Sequence, residues 1–165
     1  MLKRILLGLL VLLLLLQLFR PEKNRSQEPQ SRNISTAYPP TPQVQSILER
    51  ACYDCHSNNT RYPWYAEVQP VAWWLQHHVN EGKEELNFDE FLGYPPRKQI
   101  RKMKESAELV EKGAMPLSSY TWIHKDAKLS REQAEAFAIW ARGVERQVQA
   151  AALPTDSAGA AVDRK

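Results

Sequence analysis

Apolar side chains recur at intervals of three and four residues in four stretches of the chain, which is the spacing of one helix face. The first two stretches start near Thr41-Pro42 and near Val68. We expect them to end at Cys55 and at Gly82, because proline suits a first helical turn and glycine a helix end. The apolar positions are Val44, Ile47, Leu48 and Ala51, then Val68, Val71, Ala72, Leu75 and Val79.

Two further helices are predicted toward the C-terminus. The third starts at Pro95-Pro96 and is closed by Gly113. The fourth opens at Ser130, where Gln133 completes a capping box. Their apolar positions are Ile100, Met103, Ala107 and Val110, then Ala134, Phe137, Ala138, Ala141 and Val144. No segment alternates apolar and polar residues as a strand does, so the predicted fold class is all-α.

The N-terminus carries an apolar segment behind a short basic start. Residues 5–19 are interrupted only by Gly8 and Gln17, and Lys3-Arg4 precede them. As a helix they reach about 22 Å, less than the ~30 Å of a hydrocarbon core, and this length favours a signal peptide. The flank Gln17-Leu18-Phe19-Arg20-Pro21 offers no small-x-small cleavage site, however. We therefore predict an uncleaved transmembrane signal anchor over residues 1–19, with a cleaved signal as the alternative.

The rest of the chain is long enough for one domain. The 165 residues carry a net charge of +3. Residues 20–41 are polar and rich in proline, which predicts an extended tether. Residues 151–165 are small and polar, which predicts a frayed tail. The globular domain is therefore expected over residues 42–150, and no internal repeat is present.

The most specific signal is the motif C-x-x-C-H, formed by Cys52, Cys55 and His56. It uses both cysteines of the chain, and it is the attachment sequence of a c-type haem. Each thiol can add to one haem vinyl group, and the next residue can present its imidazole to the iron. We expect one covalent haem c, with His56 binding the iron through Nε2. Its Nδ1–H is expected to donate to a backbone carbonyl, and the carbonyls of Pro63 and Pro70 are the candidate acceptors.

Three other interpretations of the motif are weaker. A zinc site needs two more ligands at metal spacing, and His77, His78 and His124 do not form such a pair. A thioredoxin-like motif would follow a strand within a βαβ unit, and none is predicted around Cys52. A disulfide across two intervening residues would be strained and would leave the histidine without a role.

Met115 is the candidate for the sixth iron ligand. It lies between the Gly113 helix stop and Pro116. A thioether ligand would prevent external ligands from binding the iron and would raise its reduction potential relative to a second imidazole ligand. The alternative is a core methionine, the role expected for Met103. The three other histidines are the rival ligands; His77 and His78 point about 100° apart on a helix, so at most one could face the iron.

Several sequence elements resemble the haem-binding domain family of bacterial exported proteins, which is related to monohaem cytochromes c. The resemblance covers about residues 43–140. It rests on CYDCHSNNTRYPWYAEVQPVAWWLQHHVNEGKEELNFDEF, KGAMPLSSYTWIHKDAKLS and AFAIWA. It implies a small cytochrome c-like helical domain with Cys52 and Cys55 as thioether sites, His56 as proximal ligand and Met115 as distal ligand.

Aromatic and charged residues suggest how such a haem would be surrounded. The rings of Trp64, Tyr65, Trp73 and Trp74 are expected to form the haem wall. Candidate donors to the propionates are Tyr62, Tyr65, Trp64, Trp73 and Arg61. A basic run follows an acidic one: Arg97, Lys98, Arg101, Lys102 and Lys104 after Glu81, Glu84, Glu85, Asp89 and Glu90. It is either a solvated, internally paired surface or a docking face for an acidic redox partner or anionic lipid.

The expected function is single-electron transfer by a monohaem protein held at the bacterial inner membrane, with its haem domain in the periplasm. An electron carrier rather than an enzyme is expected, and this location excludes nucleic acid as a partner. The alternatives are a gas sensor or a peroxidase-like protein with an open sixth site, and a structural haem subunit of a membrane redox complex. The redox partner and the oligomeric state are not specified by the sequence.

Overall fold

The computed structural model describes residues 1–153, and every regular element within them is helical. The α-helices are α1 (Leu2–Leu16), α2 (Pro42–Ala51), α3 (Tyr53–His56), α4 (Val71–Glu85), α5 (Pro96–Glu111), α6 (Ser118–Ile123) and α7 (Arg131–Ala152). Short 3-10 helices cover Ile34–Thr36, Trp64–Glu67, Phe88–Gly93 and Lys125–Ala127. The only extended pairing in this part of the chain is one bridge between Arg25 and Asn59. The all-α prediction is confirmed.

The chain forms two compact units. Among the described residues, the first contains Met1–Pro39 and Leu48–Leu92, and the second contains Pro40–Ile47 and residues 93–153. The chain passes from the second unit to the first inside α2. The tail predicted over residues 151–165 lies outside the described residues from position 154, and α7 continues to Ala152.

The N-terminal apolar helix is shorter than the predicted anchor. α1 ends at Leu16, and the next three backbone N–H groups, up to Phe19, donate to carbonyls only three residues back. Fifteen helical residues extend about 22 Å. No helix within residues 1–153 is long and apolar enough to cross a membrane, so the predicted transmembrane helix finds no support.

Most of the predicted tether is folded into the first unit. Asn24 Nδ2 donates to the carbonyl of Ser57 and to Oγ1 of Thr60, both at 2.9 Å. Ile34 is completely buried. Polar side chains in this segment therefore bind groups around the cysteine motif, an arrangement that a reading of composition alone does not reveal.

Two helices of the first unit differ from their predicted bounds. The first predicted helix is interrupted at Cys52, whose φ of −125° and ψ of −48° leave the helical region, so α2 ends at Ala51 and α3 follows. Gly82 does not stop α4, which continues to Glu85. This glycine has a packing role instead.

The second unit is built on α5 and α7, which pack against each other. The predicted ends are confirmed: Gly113 follows α5 with a φ of +67°, and the Ser130–Gln133 capping box starts α7. The buried side chains of the two helices include Met103, Ala107, Val110, Phe137, Ala138, Ala141 and Val144. The core role predicted for Met103 is therefore confirmed. α6 was not predicted, because six residues are too few to show a helical period.

Candidate functional site

The cysteine motif consists of α3, a single helical turn, and Cys52, its N-cap residue. The N–H groups of Cys55 and His56 both donate to the carbonyl of Cys52, at 3.2 and 2.9 Å. Both thiols are free and half-buried. Burial raises the pKa of Cys52 to about 12, helped by Cys55. Burial and then the charge of Asp54 raise the pKa of Cys55 to about 11. Both thiols are thus protonated at neutral pH, unlike the low-pKa thiolates of thioredoxin-like motifs.

The imidazole of His56 is held through Nδ1. This atom lies 2.8 Å from the carbonyl oxygen of Gly82 and 2.8 Å from that of Leu86. Carbonyl oxygens only accept, so Nδ1 carries the proton and the lone pair belongs to Nε2. The predicted acceptors, Pro63 and Pro70, are replaced by two carbonyls at the C-terminal end of α4. The Gly82 carbonyl also accepts from the backbone N–H of Leu86 at 2.9 Å, so it has two donors.

Gly82 lets α4 approach the motif closely. A Cβ atom at this position would lie 2.6 Å from the carbonyl oxygen of Cys55 and 3.0 Å from its Cβ. Real Cβ atoms do not approach backbone oxygens so closely, so only glycine fits without a shift of the backbone. The same close approach brings the Gly82 carbonyl to His56.

An ion pair fixes the other side of α3. Asp54 is buried, and its Oδ1 accepts from the backbone N–H of Arg61 at 3.2 Å and from Nε at 3.1 Å. Arg61 Nη2 also donates to the carbonyl of Glu49, and Thr60 Oγ1 donates to that of Asp54, both at 2.7 Å. Arg61, predicted as a propionate donor, therefore binds the chain that surrounds the motif.

A buried polar network supports the segment that holds His56. Asp89 accepts from the backbone N–H of Asn58 at 2.7 Å and from Asn33 Nδ2 at 2.6 Å. Asn87 Nδ2 donates to Asn58 Oδ1 at 2.7 Å, and its own Oδ1 accepts from the N–H of Asp89. The sequence indicated Asp89 only as part of an acidic run, and Asn58 and Asn87 only as members of the runs that carry the family resemblance.

Aromatic residues near the motif differ from the predicted set. Phe88 is 2% exposed, and its ring centroid lies 6.3 Å from that of His56 and 5.8 Å from that of Tyr53, in edge-on geometry. Trp64, expected in a haem wall, is 80% exposed. Tyr62, a predicted propionate donor, donates its hydroxyl to Gln76 and accepts from the N–H of Asn24.

The other histidines have local contacts. His77 lies 3.3 Å from Glu81 in an exposed pair. His78 donates from Nδ1 to the carbonyl of Trp74, and its ring lies 4.4 Å from that indole. In the second unit, His124 stacks on Tyr120 at 4.4 Å.

Met115 belongs to the second unit, between α5 and α6. It is half-buried and lines a cavity of about 910 Å³. Three cationic side chains and an exposed indole line the same cavity: Lys125, Lys128, Arg131 and Trp122. Its role as distal ligand stays a prediction.

The basic run of α5 is largely engaged within the second unit. Lys102 is buried and pairs with Glu105 at 3.0 Å, and Arg101 pairs with the same carboxylate at 3.3 Å. The ammonium of Lys98 lies 3.8 Å from the ring centroid of Tyr94. These contacts agree with the internally paired interpretation of this charge run.

The donor set on α3 fits a covalently attached haem. Two neutral thiols lie on one turn, beside an imidazole whose Nε2 lone pair suits iron. Within residues 1–153, no three His, Cys, Asp or Glu side chains are grouped as a metal site requires. The zinc interpretation therefore finds no support among the described residues.

Comparison with known proteins gives one match. The family model described as haem-binding domain matches residues 11–143, most of the chain, including the cysteine motif and Met115. Neither the curated proteins nor the solved structures include a match.

Proposed function

Because the chain belongs to the haem-binding domain family, we propose that it is a c-type monohaem protein that transfers single electrons through a His/Met-ligated haem. The observation that carries the proposal is the position of His56. Its Nδ1 is hydrogen-bonded to two backbone carbonyls, and the two thiols belong to α3 and to the residue that caps it. No catalytic residue is assigned, since the role is that of a carrier.

In this proposal the chain binds the haem through three side chains of the first unit. Cys52 and Cys55 provide the thioether sulfurs, and His56 provides the proximal ligand. When bound, the haem supplies one-electron exchange between ferric and ferrous iron. Donation from Nδ1 to the carbonyls of Gly82 and Leu86 orients the imidazole and makes Nε2 a stronger ligand.

Met115 is the proposed distal ligand. The half-buried thioether follows the left-handed turn at Gly113 and precedes Pro116, so its backbone is constrained on both sides. A thioether ligand raises the reduction potential relative to a second imidazole and closes the iron to small ligands. This separates an electron carrier from a gas sensor or a peroxidase.

The proposed location is the periplasmic side of the bacterial inner membrane, with a redox protein as partner. The basic Lys3-Arg4 start and the apolar residues behind it support export. The absence of a small-x-small site in the flank Gln17-Leu18-Phe19-Arg20-Pro21 supports retention of this segment over cleavage. Exposed Arg97 and Lys104 would favour encounter with an acidic partner surface.

The mass of the purified chain under denaturing conditions tests this proposal. In a host that attaches c-type haem, the full chain should keep the added mass of one haem after denaturation. The Cys52→Ser/Cys55→Ser double variant should lose that mass, and deletion of residues 1–19 should prevent attachment because the chain is not exported. Ser57→Ala, a neighbouring substitution that removes no thiol, is the control and should keep the haem. An unmodified wild-type mass would contradict the proposal.

A further inference from the structure

Within the first unit, a buried glutamine binds the end of α1 to the chain before α4. The backbone N–H of Gln69 donates to Gln17 Oε1 at 2.9 Å, and Gln69 Nε2 donates to the carbonyl of Phe19 at 2.7 Å. Gln69 is only 1% exposed, and its Oε1 accepts from the N–H of Trp73 at 3.3 Å. One side chain therefore joins the end of α1 to the first turn of α4.

A second contact holds the same two segments together. Glu67, at the end of the 3-10 helix Trp64–Glu67, pairs with Arg20 at 2.8 Å and with Lys23. The hydrogen bond from Lys23, with the charges of both cations, lowers the pKa of Glu67 below its usual range. The segment that follows α1 therefore contacts both Glu67 and Gln69.

An exposed apolar surface surrounds these contacts. Val68 and Val71 flank Gln69, and both are exposed. Phe19, Trp64 and Trp73, which are bonded to Gln69 or close to it in the chain, are also exposed. We call these five residues, three aromatic and two valine, the aromatic face. Trp74 is not included, because its ring lies against His78.

Phe19 of the aromatic face lies three residues beyond the end of α1, a helix that has no polar side from Ile5 onward. Every residue of α1 except Leu16 is exposed, and from Ile5 onward only Gly8 is not a large apolar residue. A helix that is apolar all round requires apolar surroundings. Its exposed end therefore continues into a face whose indoles can place an apolar ring and a polar N–H at the same boundary.

We propose that the aromatic face lies in the headgroup region of a lipid bilayer, with the side chains of α1 in contact with lipid. Tryptophan is enriched at this depth of a membrane because its ring is amphipathic. Arg20 and Lys23 share the single carboxylate of Glu67, so the group keeps one net positive charge, which suits anionic headgroups. The first unit is thereby held with one defined side toward the membrane. The inference rests on the proposed export of the chain and not on the axial ligands.

Bromine-labelled lipids test this placement. The haem-loaded full chain is reconstituted into vesicles of phosphatidylcholine and phosphatidylglycerol, with or without bromine on the acyl chains near the headgroups. The brominated lipid should quench tryptophan fluorescence of the wild type. The Trp64→Phe/Trp73→Phe variant, which keeps the face apolar, should lose most of that quenching.

Trp122→Phe is the matched control, because Trp122 is 75% exposed but belongs to the second unit. It should keep the quenching, and both variants should keep the wild-type haem absorption spectrum. Undiminished quenching in the double variant, absence of quenching in the wild type, or failure to bind vesicles would each overturn the inference. Because the haem spectrum is recorded separately, a failure of the proposed ligation is distinguished from a failure of membrane placement.

Discussion

At the scale of single residues, the site depends on backbone groups as much as on side chains. His56 is held by two carbonyl oxygens, and one of them comes from Gly82. Because Gly82 has no side chain, the backbone of α4 can lie close to Cys55, and the Gly82 carbonyl then reaches His56. The orientation of the proposed proximal ligand therefore depends on a residue 26 positions away in the chain.

Gly82→Ala should damage this arrangement. The new Cβ would lie 2.6 Å from the Cys55 carbonyl oxygen, so α3 or α4 must shift and the His56 hydrogen bonds lengthen. Overpacking of this kind costs about 1–3 kcal/mol, which should appear as a lower melting temperature and a lower yield of haem attachment.

Gly143→Ala provides the matched control. A Cβ at position 143, inside α7, meets nothing within 4 Å. Alanine should be neutral there or stabilise the helix by up to about 1 kcal/mol. Equal effects of the two substitutions would show that the close approach at Gly82 has no special role.

At the scale of elements, the sequence predicted helix ends more reliably than it predicted contacts between distant residues. The Ser130–Gln133 capping box and Gly113 act within one turn of chain, so the sequence alone reveals them. The role of Gly82 depends on α3, and the binding of Asn24 depends on residues more than 30 positions away. Such contacts are fixed by tertiary packing and leave no periodic signal.

The contact between α5 and α7 includes an ion pair that should make stability depend on pH. Arg142 donates from Nη1 and Nη2 to the two carboxylate oxygens of Glu111, which lowers the pKa of Glu111 in the folded state. A lowered pKa contributes stability above the pKa of the unfolded chain, and this is lost as pH falls through the folded pKa.

Arg142→Gln should therefore melt at a lower temperature than the wild type near neutral pH, by a small amount because the pair is exposed. The difference should shrink as pH falls below the usual range of a glutamate. Arg146→Gln, an exposed substitution on the same helix, should show little difference at any pH. A wild-type advantage that is constant from neutral to acidic pH would contradict the assignment.

At the scale of the whole molecule, the family match identifies haem as the group that the chain binds, and the cysteine motif agrees with it. Which residues ligate the iron decides between the proposed functions. The motif could be recognised from the sequence because its spacing follows from the chemistry of attachment. The polar network of Asn58, Asn87 and Asp89 could not, because its members are brought together only by the fold. Met115 links the proposed haem to electron transfer, so the proposed function depends on it.

The most direct test of that function is the absorption spectrum of the ferric, haem-loaded full chain, compared with Met115→Ala. The wild type should show the charge-transfer band of methionine on low-spin ferric iron, and the ferrous protein should not bind carbon monoxide readily. Met115→Ala should lose the band and bind carbon monoxide, while Met103→Leu, a core substitution in the same unit, should keep the band. A wild-type haem that is high-spin and reactive toward carbon monoxide would contradict the account.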